Sequence, residues 1–184
     1  IDPSDLAYQS LAQGQVQTVS VGYGVSDGTA TTMTAVVFTV IGVNDAPVVT
    51  GPVTGSPNED GVVVSVNALG NASDADDPQG QGHGLFVTGV PDTLPAGVSY
   101  DAATHRFSLD PSNAAYQYLS KGEVLDVKVD FVVSDGYVDV PTSAIFTVTG
   151  RDDTPTVSGV VDGGTVTESA APATLDLLAR ASDV

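Results

Sequence analysis

Cysteine and tryptophan are absent from this 184-residue chain, methionine occurs once, histidine twice, and lysine and arginine together only five times. Each shortage excludes something. Without cysteine there is no disulfide framework and no thiolate metal site. Five basic residues against 23 acidic ones give a formal charge of −18. The basic footprint that nucleic acid requires is therefore missing, and so is any attraction to anionic membrane surfaces. Hydrophobic residues make up 41% of the chain, yet no apolar run approaches the roughly 18 residues of a membrane span. The segment reads as soluble, with no membrane insertion, and as internal to a longer parent, so a missing signal peptide excludes nothing.

Catalytic material is equally scarce. His83 sits in the glycine-rich run Gly80-Gln81-Gly82-His83-Gly84, and His105 opens an expected strand on the surface. There is no Gly-x-Ser-x-Gly elbow and no phosphate-cradling loop. The expectation is a chain that is not an enzyme.

What the chain does have is self-similarity, which decides architecture before any local feature. Laid on Leu109 to Gly159 at a shift of 108, Ile1 to Gly51 is identical at 24 of 51 positions, among them Tyr8/Tyr116, Leu11/Leu119, Asp27/Asp135, Phe38/Phe146 and Pro47/Pro155. After one extra residue the match continues at 109, with Glu59/Glu168 and Asp74/Asp183. The organisation expected is residues 1–45 as the later part of a preceding repeat, 46–154 as one complete repeat, and 155–184 as the opening of a following one. A unit of that length can bury its own core.

Valine- and threonine-rich runs with period-two alternation, punctuated by Gly, Pro, Asp and Asn, predict an all-β, Ig-like seven-stranded sandwich. Strands are expected near 47–53, 62–66, 84–90, 97–100, 105–109, 123–134 and 143–150. Leu125, Val127, Val129, Phe131 and Val133 fall on one face of the sixth strand, and Ala144, Phe146 and Val148 on one face of the seventh. Asp110 to Leu119 breaks the alternation. With Ser112 as N-cap, Tyr116 and Leu119 three apart and Gly122 as terminator, it predicts a short helical crossover before the sixth strand.

Alternating strands return particular loops to a common pole. At the entrance pole the linker (Asn44, Asp45) meets the loop after strand two (Asp74, Asp76) and the turn after strand six (Asp135). At the exit pole Asp152 and Asp153 meet Glu59 and Asp60 from the first crossover, with Glu123 as a further candidate, and Asp183 opens the next repeat's pair. Calcium takes six to eight oxygen ligands and tolerates irregular geometry, so converging Asp, Asn and Glu suit it. The competing account is that Asp and Asn favour turns; Asp60 and Asp77 are read as bystanders on that ground. Asp74 to Gly80 starts like an EF-hand loop but lacks its glycine and final glutamate. The run 80–84 lacks the aspartate of a calcium-binding nonapeptide and reads as a flexible loop.

Leu109-Asp110-Pro111-Ser112-Asn113 with Tyr116, Leu119 and Gly122, then Val133-Ser134-Asp135-Gly136 and Phe146-Thr147-Val148-Thr149-Gly150, resemble the bacterial VCBS-type repeats. The linker Gly42-Val43-Asn44-Asp45-Ala46-Pro47 matches that family's pattern closely, and at 150–155 it becomes Gly-Arg-Asp-Asp-Thr-Pro. The resemblance implies cadherin-like, tandem modules of giant RTX adhesins on the bacterial cell surface, exported by type I secretion, whose linkers stiffen on binding Ca2+. It supplies no catalytic residues. The function expected is a structural extender of a biofilm or cell-surface adhesin. The alternative is a sandwich that itself binds carbohydrate or peptide, which 6% aromatic residues disfavour. The partners expected are neighbouring repeats of the same chain, with head-to-tail self-association through the incomplete end repeats.

Overall fold

The computed structural model describes residues 1–76 and 84–183. Among these residues every regular element is a strand, and no helix is long and apolar enough to cross a membrane. Two strands begin the chain, β1 (Val16–Ser26) and β2 (Thr31–Ile41), paired as an antiparallel hairpin. The segment 46–154 follows as β3 (Val48–Val49), β4 (Val53–Gly55), β5 (Val64–Asn67), β6 (Ala72–Ser73), β7 (Phe86–Thr88), β8 (Val98–Asp101), β9 (Arg106–Leu109), β10 (Val124–Ser134) and β11 (Asp139–Thr149). The short strands β12 (Thr156–Val157) and β13 (Ala181–Ser182) pair with each other beyond it.

One sheet runs β4-β11-β10-β7, and the facing one runs β5-β9-β8. Alternation along β10 puts Val127, Val129, Phe131 and Val133 inside, and Ala144, Phe146 and Val148 of β11 join them. Phe107 of β9 closes the sandwich from the other sheet, its ring centroid 5.1 Å from Phe131 and 4.6 Å from Tyr100. This is the core that the period-two pattern predicts.

Three local features differ from the sequence reading. The expected first strand, 47–53, is two strands. β3 pairs with β6, and β4 crosses to pair in parallel with β11. The crossing is made at Gly51, whose φ of +152° suits glycine, and Pro52. The seventh strand begins at Asp139, not at 143, and includes Pro141 opposite Val132. β4 flanks β11 only from Ala144 onward, so at Pro141 the strand is an edge, where a missing N–H is tolerated.

The third difference is the crossover, which is not helical. Its i→i+3 bonds come once every three residues: Asn113 N–H to Asp110 O (3.3 Å), Tyr116 N–H to Asn113 O (3.0 Å) and Leu119 N–H to Tyr116 O (3.0 Å). The side chains of Asp110 and Asn113 take the amides of Ser112 and Ala115, each at 3.0 Å, and so compete with a helical ladder. Ser112 is not the cap, because its hydroxyl donates to Asp110 at 2.7 Å. The segment still plugs the sandwich end. Tyr116 and Leu119 are buried, and the Tyr116 hydroxyl donates to the Ala96 carbonyl.

Gly150 locks this plug to β11. Gly122 N–H donates to its carbonyl (2.9 Å), and its own N–H donates to Glu123 O (2.8 Å). A Cβ at Gly150 would land on the Ser120 carbonyl oxygen and 2.7 Å from that of Leu119, both of them backbone. Gly150→Ala is therefore expected to cost about 1–3 kcal/mol in urea denaturation, through forced displacement of the plug. An unchanged midpoint would show that the plug moves freely.

Candidate metal centre

At the entrance pole the structure brings five of the expected residues together. Asp45 N–H donates to Asp76 Oδ2 (2.9 Å), and Asp76 N–H donates to Asp74 Oδ1 (2.9 Å), so the loop curls both carboxylates inward. Asn44 Nδ2 donates to Asp135 Oδ2 (2.9 Å) and to Asp45 O (2.9 Å). Linker, loop and turn are thus tied to one another through carboxylates. Asp76 is 3% exposed and Asp135 is 4% exposed. Asp76 Oδ1 is out of water with no hydrogen-bond donor.

The turn preference of aspartate explains part of Asp135. Its Oδ1 accepts from the amides of Tyr137 and Val138, both at 2.7 Å. Its counterpart Asp27 makes the same turn, accepting from Thr29 and Ala30 at 2.8 Å, while fully exposed. Turn formation accounts for both. Only Asp135 is buried and bonded across to a linker.

Burial alone would push the Asp135 carboxyl up, but the amides of Val138 and Tyr137 and the Asn44 side chain hold it below the ordinary carboxylate value. A lowered native value stabilises the fold above the unfolded pKa of about 3.9, and that contribution disappears as pH falls through the native value. In calcium-free buffer, Asp135→Asn is therefore expected to flatten the loss of stability below about pH 4. Parallel acid titrations of the two proteins check this.

At the exit pole Glu59 is fully buried. Its N–H donates to Thr149 O, and its Oε2 accepts from Arg151 N–H at 2.9 Å. Its Oε1 is buried with no hydrogen-bond donor. Asp152 lines a cavity of about 460 Å³ with Asn58, Asp60, Lys121, Gly150 and Arg151. Asp153 is half-buried in the linker. The β12–β13 pair carries Asp183 back beside the linker, where it lines a separate cavity of about 280 Å³ with Pro155, Leu178, Ala181 and Ser182. The structure thus splits the exit group, with Glu59 and Asp152 on one side and Asp183 on the other. Glu123 stays with the plug, accepting from Ser120 N–H.

Two further residues shape these poles. Gln13 Oε1 accepts from Asn44 N–H at 2.8 Å, and its counterpart by the 108 shift is Lys121, which has no acceptor to offer. Asp60, taken as a bystander, lines the exit cavity with a φ of +56°. The repeat alignment pairs Gln13 with Lys121 and so carries a signal for the first; the place of Asp60 beside Glu59 puts it at the exit pole, although turn preference makes it a bystander there. Asp77, His83 and the run 80–83 lie outside the described residues. His105 is half-buried rather than exposed, with its Nδ1 3.3 Å from the Tyr100 hydroxyl.

Among the described residues no three His, Asp or Glu side chains are gathered closely enough to form a ready metal cage. The hydrogen bonds give the reason, since the amides of Asn44 and Asp45 occupy carboxylate oxygens that a cation would otherwise share. The donor set itself, carboxylates, an Asn amide and backbone carbonyls, fits a hard cation. The buried, undonated oxygens of Glu59 and Asp76 fit it too.

No family model and no curated protein matches the chain. Solved structures do. Protocadherin gamma C5 EC1-3 is similar over 99% of this chain and 57% of its own length, at 16% identity and TM-score 0.48. Mouse clustered PcdhgC3 EC1-3 is similar over 94% and 54%, at 14% identity and TM-score 0.45. An endo-fucoidan hydrolase, MfFcnA4 from glycoside hydrolase family 107, is similar over 80% of this chain and 20% of that one, at 18% identity and TM-score 0.38. The chain therefore spans from about a fifth to just over half of these proteins. The β-sandwich assignment rests on the chain's own sheets.

Proposed function

We propose that the chain is an extracellular extender segment of a bacterial surface adhesin, a tandem array of β-sandwich repeats whose joints are stiffened by calcium. The observation that carries this reading is that both joints of the complete repeat hold a buried carboxylate with an oxygen lacking any donor, Asp76 at one and Glu59 at the other. Burying such a group uncompensated costs several kcal/mol, and a cation removes that cost. At the entrance, Asn44, Asp45, Asp74, Asp76 and Asp135 would hold the ion; at the exit, Glu59, Asp152 and Asp153 would, with Asp183 set apart beside its own cavity. The neighbouring repeats of the same chain are the partners, and no catalysis is involved.

Extracellular calcium sites have dissociation constants of about 0.1–1 mM. At tenfold excess each adds about 1.4 kcal/mol to the ordered state. Calorimetry with calcium, paired with melts in calcium and in EGTA, tests the reading. Saturable binding and a raised melting temperature are expected. No heat at millimolar calcium would reduce the acids to turn formers on a plain spacer.

A further inference from the structure

Backbone bonds fix what lines the exit cavity. Gly122, at a φ of +81°, donates to Gly150 O (2.9 Å), and Gly150 donates back to Glu123 O (2.8 Å). Beside this lock, Glu59 N–H meets Thr149 O (2.9 Å) and Arg151 N–H meets Glu59 Oε2 (2.9 Å). Lys121 precedes the first glycine and Arg151 follows the second. Both therefore line the same cavity of about 460 Å³ as Asp60 and Asp152.

The lock does not need these cations, and the chain itself supplies the comparison. At the positions 108 residues earlier, Gly14 N–H donates to Gly42 O (3.0 Å) and Gly42 N–H donates to Gln15 O (2.7 Å). There the places of Lys121 and Arg151 are taken by Gln13 and Val43. The same turn thus forms around a neutral pair, so the charges at 121 and 151 serve something other than the fold.

Nor are the two cations latched. Among the described residues the one ion pair joins Lys128 to Asp130 (2.7 Å), both exposed on β10. Lys121 and Arg151 are exposed and share their cavity with Asp60 and Asp152 without closing on either. Cations held near carboxylates offset their mutual repulsion even without contact, and the space between them stays open to water or an ion. A divalent cation entering that space is drawn by the carboxylates and repelled by the two side chains.

On the basis of the calcium reading above, we propose that Lys121 and Arg151 are resident counter-ions of the exit joint. Without calcium they balance Asp60 and Asp152 and keep the joint from repelling itself. When calcium enters they oppose it, so the exit site fills at a higher calcium concentration than its carboxylates alone would set.

Calorimetry with calcium on the parent chain and on Lys121→Gln, which places at 121 the residue type found at 13, is the test. The calcium affinity of the exit site is expected to rise about fivefold, the weight of one unit charge in a water-filled cavity. Arg151→Val should add to the gain. In EGTA both variants should melt about 2–4 °C below the parent. Lys121→Arg keeps the charge and should match the parent in both buffers. Between about 0.05 M and 0.5 M salt, the affinity of Lys121→Gln should fall more steeply than that of the parent, since more of its attraction is open to screening. A mere packing change would leave that slope alone. In a chain already carrying Glu59→Gln, Lys121→Gln should alter calcium binding no further, which locates the effect at the exit. Equal calcium affinity in the parent and in Lys121→Gln would overturn this inference and leave the calcium joints standing. No binding by the parent would overturn both.

Discussion

Replacing Phe146 with alanine is expected to remove about 3–5 kcal/mol of stability, the cost of deleting a fully buried aromatic ring. That is a large share of the roughly 5–15 kcal/mol that holds a domain of this size folded. Phe146 is fully buried, sits across from Val127 on β10, and packs on Gly55 of β4. It therefore joins three strands of one sheet to the core. The chain carries its own control. Phe38 occupies the same place in the same hairpin register but is only half-buried, since no β4 lies beside β2. Phe38→Ala is expected to leave the main transition within about 1 kcal/mol of the parent. Urea denaturation followed by circular dichroism reads both. Equal losses would mean that the two hairpins share one cooperative unit.

The second large effect is a change of sign at Glu59. In EGTA, Glu59→Gln is expected to be no less stable than the parent. The amide oxygen still accepts from Arg151 N–H, and a buried charge with an undonated oxygen is gone. In calcium the same variant should fall behind by about 1.4 kcal/mol for each ion lost at tenfold excess. Melting curves of both proteins in both buffers form a closed cycle. A variant equally destabilised with and without calcium would make Glu59 a fold residue and nothing more.

The two joints should also differ. At the entrance, Asp76 and Asp135 accept hydrogen bonds from the amides of Asp45, Tyr137 and Val138 and from the Asn44 side chain. At the exit, Lys121 and Arg151 line the cavity beside Asp60 and Asp152. Two of the five basic residues of the chain thus stand at one joint.

Much of this was legible in the sequence, for identifiable reasons. Strict alternation from Leu125 to Val133 can satisfy only a strand with one buried face, and β10 has one. The Asp74-x-Asp76 spacing and the repeat of Ser-Asp-Gly at 26–28 and 134–136 placed the entrance acids, because turn chemistry is local. What the sequence hid depends on competition or on distant partners. At 110–119 the residue types allow a helical turn, but Asp110 and Asn113 bond the nearest amides first. The break at Gly51 and Pro52 has meaning only once β4 has found β11. Asp60 stands at the exit pole where its place beside Glu59 puts it, but its φ of +56° is a backbone twist that no pattern of side chains announces.

The parallel pairing of β4 with β11 has a mechanical consequence. Both strands run from the entrance toward the exit, joined by Glu59 N–H to Thr149 O and by Thr149 N–H to Pro57 O as well as by the ladder at 144–146. Tension applied along the chain draws β4 back toward one pole and β11 toward the other. The bonds between them are then loaded sideways and together, not opened one at a time as in a zipper. Before the core can be stretched, the whole seam has to slip at once. Resistance to pulling is thus concentrated in the few residues where the first strand meets the last.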